Sequence, residues 1–217
     1  MGEIDLHELP ESGQNVRSEL SEEGRKGAVT YRDLEEILNA KQRILAEIAR
    51  SVDGLNAAQL SLPPATGGWS IEKIVAHLAL VEGSMVRLIT TLTSKAETAT
   101  GLNKPLHSYE VSLEPHLERS RTEKYITRGN FEPTGNFSVA DSFKALQDVQ
   151  TEILNLHPRL ASVDPTIVRF PHWIFGPLDL AQWLAFVGIH EERHLVQIQE
   201  IMASEEFKSL PGARKSL

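Results

Sequence analysis

The sequence predicts an all-α protein, a four-helix bundle with a long crossover between its second and third helices. Three observations lead there. Four stretches carry apolar residues at helical spacing, no stretch shows strand alternation between turn signals, and residues 95–137 show no sustained apolar period. Pro105, Pro115, Pro133 and three glycines punctuate that middle segment, which is the expected crossover, with a short helix near residues 115–124.

The first helix begins after Thr30, a candidate N-cap with Asp33 three positions on. Its stripe is Leu34, Ile37, Leu38, Ile44, Leu45, Ile48 and Val52. Asp53-Gly54, Pro63-Pro64 and Gly67-Gly68 interrupt it, and Ser70 is placed to cap the second helix, with Glu72 in the first turn. Ile74, Leu78, Val81, Met85, Leu88 and Leu92 follow at alternating intervals of four and three, a stripe facing a partner helix. The third helix starts near Val139 with Phe143, Leu146, Val149, Ile153, Leu156 and Leu160. Asp179 and Gln182 form a capping-box pattern for the fourth, which is expected to run to Phe207. The expected organisation is an N-terminal tail over 1–29, one domain over 30–207 and a C-terminal tail over 208–217.

With 41% hydrophobic and 24% charged residues the 217-residue chain has a globular composition. Its charge is 22 − 30 = −8, which argues against a nucleic-acid partner. The mixed-sign run around Arg119, Arg121, Lys124 and Arg128 reads as a solvated face. No cysteine is present, so disulfides, thiolate ligands and a cysteine nucleophile are excluded, and sulfur chemistry would need a substrate's thiol. The most apolar run, residues 181–189, is too short to span a bilayer, and a soluble cytoplasmic protein is expected.

Within the fourth stripe, Trp183, Val187, Ile198 and Ile201 are joined at 190 and 194 by histidines. His190 and His194 stand one turn apart on one face, a spacing that lets both bind one metal ion. His77, on the edge of the second stripe, is the candidate third ligand. The other histidines, His7, His107, His116, His157 and His172, read as surface residues, His172 beside Trp173 being placed to line a pocket mouth.

The stretch Gly68-Trp69-Ser70-Ile71-Glu72-Lys73-Ile74-Val75-Ala76-His77-Leu78 resembles the G-W-S…H-L segment of the DinB-like (DinB/YfiT) superfamily. The stretch from Phe175 through Trp183-Leu184 to His190-Glu191-Glu192-Arg193-His194-Leu195-Val196-Gln197-Ile198 resembles its last helix, and the resemblance covers about residues 30–207. It implies a four-helix bundle with a divalent metal on three histidines, here His77, His190 and His194. Zinc comes first, with nickel, iron or manganese as alternatives. It further implies a transferase coupling a small thiol of the bacillithiol or mycothiol type to an electrophile, with a metal-dependent hydrolase or a non-catalytic metal-binding module as alternatives. A homodimer is expected on the same ground.

His190-Glu191-Glu192-Arg193-His194 also satisfies H-E-x-x-H, in which zinc proteases use the glutamate as general base. Only 217 − 194 = 23 residues follow it, without a histidine, and the sequence leads us to expect no sheet before it. The protease is therefore disfavoured, although Glu191, flanking the metal face, stays open as an outer base.

Overall fold

The computed structural model describes residues 30–100, 110–113, 131–135 and 138–212. The N-terminal tail, the basic run and the short helix expected near 115–124 lie outside the described residues, as do His7, His107 and His116.

Helix α1 spans Leu34–Val52 and is capped by Asp33, whose Oδ1 accepts from the Glu36 amide at 2.8 Å. Thr30 is not the cap. It belongs to strand β1 (Thr30–Tyr31), which pairs antiparallel with β2 (Val111–Ser112), and its hydroxyl donates to Ser112 Oγ. A short helix α2 (Ala57–Ser61), absent from the sequence expectation, is closed by a capping box between Asn56 and Gln59.

Helix α3 covers Ile71–Thr100, about two turns beyond the stripe that ends at Leu92. Buried Ala96 and the paired Arg159–Glu97 contact continue its packing past that point. Ser70 contributes only its backbone to the start: its carbonyl accepts from Ile74, while its buried hydroxyl has no hydrogen-bond partner among the described residues, so the expected side-chain cap is absent.

Helix α4 spans Val139–Leu160 under a Ser138 cap. Strands β3 (Arg169–His172) and β4 (Gly176–Asp179) then form an antiparallel hairpin, with His172 opposite Gly176, where no strand was expected. Gly176 takes φ 75° at its turn, a left-handed conformation that suits glycine. Helix α5 (Leu180–Ala203) has the expected Asp179/Gln182 capping box, but it stops at Ser204 instead of running to Phe207. Ser204 accepts from the Phe207 amide and so starts a last turn, α6 (Glu205–Lys208). The C-terminal segment is docked as far as Pro211, whose carbonyl accepts from Asn56 Nδ2 at 2.8 Å.

Helix α5 packs along α1 and α3, and α3 packs along α4. The consecutive long helices α1 and α3 are not side by side. Residues 71–99 are long and apolar enough to cross a membrane by composition, but 56% of the most apolar window is buried within the bundle. The core is in two parts. One gathers Ile37, Leu38, Ile89, Ile153 and Val187; the other gathers Ile48, Ile74, Leu78, Leu146 and Ile198. Between them in sequence register, on α1, α3 and α5, fall the buried polar residues Lys41, Glu82 and Glu191, with His77 and His194 close by along the same helices.

Candidate metal centre

His77 comes from α3, and His190 and His194 from successive turns of α5. The structure brings all three together: one ring nitrogen from each lies within 4.8 Å of the others. His190 Nε2 is 3.3 Å from His77 Nε2 and 3.2 Å from His194 Nε2. The far nitrogens fix the tautomers. His77 Nδ1 donates to the Phe131 carbonyl at 2.8 Å, and His194 Nδ1 donates to Gln197 Oε1 at 2.8 Å. Both therefore present bare Nε2 lone pairs to the same point.

A single proton on His190 Nε2 can satisfy one of those lone pairs and not the other, so the trio is frustrated as a hydrogen-bonded cluster. A divalent cation accepts all three lone pairs at once, and three neutral nitrogen donors suit it. The rings are neutral at ordinary pH. Burial, partly offset by the bond to Phe131, holds His77 down to about 4. Burial, then the neighbouring His77 and Arg193, holds His194 down to about 3. His190 lies well below the usual range, first through burial and then through His194, His77, Arg193 and His172. Trp69 leans against His77, with ring centroids 4.7 Å apart.

A model of the DinB superfamily matches residues 41–198. The chain belongs to the DinB superfamily. Uncharacterised protein YuaE of Bacillus subtilis is 26% identical over 155 residues, covering 71% of this chain and 90% of YuaE. A protein of Oceanobacillus iheyensis, OB0413, provisionally named a metal-dependent hydrolase, is 27% identical over 172 residues, 79% of this chain and 86% of its own. The solved structure of YfiT from Bacillus subtilis, described in equally provisional terms as a metal-dependent hydrolase with an unusual four-helix bundle topology, superposes with a TM-score of 0.50. It is 17% identical and covers 87% of this chain and 91% of YfiT. That likeness establishes the four-helix fold for this DinB-superfamily chain.

The H-E-x-x-H glutamate does not serve the centre. Glu191 is fully buried and its Oε1 accepts from Lys41 Nζ at 3.0 Å, while the same ammonium lies 3.1 Å from Glu82 Oε2. Three helices thus meet at one cation and two carboxyl groups. Were both carboxyls ionised, Glu191 Oε2 would have no hydrogen-bond partner in a buried site. Burial and then the charge of Glu82 push the Glu191 carboxyl well above the usual range. Burial also raises Glu82, against the pull of Lys41. Lys41 itself is raised, since the two carboxyl groups outweigh its burial. With its carboxyl fully buried and Oε1 engaged by Lys41, Glu191 is not placed as a general base, and the outer-base role left open by the sequence is withdrawn.

Sequence reasoning missed this triad although its signal was present: Lys41, Glu82 and Glu191 each occupy a stripe position, four residues after Ile37, Leu78 and Val187. It also misplaced His172. That ring is buried against Phe175 and Phe186 rather than at the surface, whereas His157 keeps a partly exposed edge paired with Glu35. Trp183 is buried too, donating from Nε1 to the Phe170 carbonyl at 3.1 Å.

Proposed function

We propose that this chain is a metal-dependent enzyme in which His77, His190 and His194 hold one divalent cation, zinc first, and that it joins a low-molecular-weight thiol to a small electrophile. The observation that carries the metal is the convergence of three Nε2 atoms whose far nitrogens are already committed to Phe131 and Gln197. A cation on three neutral imidazoles supplies Lewis acidity and lowers the pKa of a coordinated thiol. The protein's own part is to aim the ligands and keep them unprotonated through burial. The thiol is exogenous because the chain has no cysteine. In the transfer the thiol sulfur forms a bond to the electrophilic carbon, the electrophile's leaving group departs, and the thiol proton goes to solvent.

Hydrolysis, with water in place of the thiol, is the second reading, favoured by the provisional names of OB0413 and YfiT. Tag-free protein should contain about one metal per chain by elemental analysis, and His77→Ala should lose it. Zinc-loaded protein offered bacillithiol, mycothiol, glutathione and coenzyme A with a reactive electrophile should turn over with one of them, and a chelator should stop it. Turnover without any thiol would decide for the hydrolase. A homodimer belongs to the same proposal, and a mass near 24 kDa by light scattering would refute that part.

A further inference from the structure

Lys41, Glu82 and Glu191 tie together three helices, and two of these carry the candidate metal ligands. Each of the three side chains is at most 1% exposed. Glu191 directly follows His190 on α5, and Glu82 stands five residues after His77 on α3, about 7.5 Å along that helix axis. The Lys41 ammonium lies 3.0 Å from Glu191 Oε1 and 3.1 Å from Glu82 Oε2. Its stem starts against α5: a Cβ added at Gly188, two residues before His190, would lie 3.6 Å from both Cα and Cβ of Lys41. Helices α1 and α3 are not side by side, so the lysine reaches Glu82 across the core of the bundle.

Stability does not account for such a cluster. A buried ion pair recovers little beyond what its desolvation costs, and apolar side chains of the same volume would hold the helices together as well. What they would not supply is register. Attraction between apolar surfaces is non-directional, whereas an ammonium within hydrogen-bond reach of two carboxyl groups is satisfied at one setting of the helices. We propose that Lys41 is a positioning residue of the metal centre: through Glu82 and Glu191 it sets α3 against α5, and so sets His77 against His190 and His194. The inference rests on the metal reading above and adds to it a residue on α1, which supplies no ligand.

Three variants of the full chain separate positioning from bulk stability. Lys41→Met removes the ammonium, and Lys41→Met combined with Glu82→Leu and Glu191→Leu replaces the whole cluster by apolar packing. Leu156→Ala opens a cavity on α4, a helix without a ligand. Zinc affinity is measured by competition with a chromophoric chelator, and the geometry of the site by the visible bands of bound cobalt(II), at a temperature where each protein is folded. Lys41→Met should bind zinc about tenfold to a hundredfold more weakly, with cobalt bands changed in position and intensity. Loss of a neighbouring positive charge by itself favours a bound cation, so this weakening reports geometry. The triple variant should melt near the parent yet keep the weak affinity and altered bands, whereas Leu156→Ala should melt earlier with both unchanged. Parent-like affinity and bands in Lys41→Met, their recovery together with stability in the triple variant, or an equal loss in Leu156→Ala would overturn the assignment. If Lys41→Met does not fold, the triple variant decides alone. A parent that takes up neither zinc nor cobalt would overturn the metal reading itself, so the two failures are distinguishable.

Discussion

Replacing Lys41 by methionine tests the buried triad, and its cost follows from the geometry. Methionine fills the space of the lysine stem, so the change is chiefly the loss of an ammonium 3.0 Å from Glu191 and 3.1 Å from Glu82. Burial and mutual repulsion raise both carboxyl groups, so we take the pair to share one proton, which leaves one anion to be accommodated. If it stays ionised, it loses an attraction of about 332/(20 × 3), roughly 5.5 kcal/mol at an effective dielectric constant of about 20. If instead it takes a proton at pH 7, against an ordinary carboxyl value of 4.5 in the unfolded chain, the cost is about 2.5 × 1.36, roughly 3.4 kcal/mol. The cheaper route wins, giving a loss of about 3 kcal/mol once relief of the lysine's own desolvation is allowed for.

The sign with pH follows from the same route. The remaining carboxyl has a folded-state pKa raised above its unfolded value, so its penalty is absent below the unfolded pKa and grows as pH rises. Between pH 7 and pH 5.5 the gap between parent and Lys41→Met should narrow by about 2 kcal/mol, from 1.5 × 1.36. Urea unfolding of both proteins in EDTA at the two pH values measures it. A loss below about 1 kcal/mol, or a gap that does not change with pH, would refute the argument, because a packing defect alone is indifferent to protons. Replacing Lys41, Glu82 and Glu191 together by apolar residues should recover most of the loss.

Gln197→Leu removes the acceptor that orients His194 and should weaken metal affinity about tenfold to a hundredfold, read by competition with a chromophoric chelator, while the fold persists. In chelated protein, His77 has a folded-state pKa depressed from 6.5 to about 4, so it contributes stability above pH 6.5 that is lost as pH falls through about 4. The triad carboxyls act in the opposite sense over this range. The comparison is therefore between parent and His77→Gln, whose stability difference should shift by about 2 kcal/mol against the parent from pH 7 to pH 5 in urea unfolding. Gly83→Ala, in the interior of α3 where an added Cβ would meet only the Arg87 guanidinium at 3.8 Å, should gain about 0.5–1 kcal/mol and raise the melting temperature.

The four long helices were legible because their stripes are long and periodic, and the three histidines because two of them replace apolar residues in one stripe. Helix ends were less so. Thr30 and Asp33 both look like caps in sequence, and only the pairing of β1 with β2 assigns Thr30 elsewhere. The β3–β4 hairpin escaped notice because its four-residue strands contain prolines at 171 and 177, which pair opposite each other. His172 was unreadable for a different reason: the turn that buries it is made by backbone N–H groups, which leave no trace in side-chain pattern. The triad could have been read, since a lysine and two glutamates each at a stripe position are the charge equivalent of the histidine anomaly.

The bond from His77 to residue 131 separates two kinds of constraint. The acceptor is a main-chain carbonyl, which every amino acid supplies alike, so the orientation of the His77 ring depends on where residue 131 sits and not on which side chain it carries. His194 is held otherwise, by a side chain that only a few residue types could replace. Residue 131 can therefore exchange its side chain while the ring of His77 stays aligned. In this bundle the histidine on α3 tolerates a changed residue at its partner position, and His194 on α5 does not.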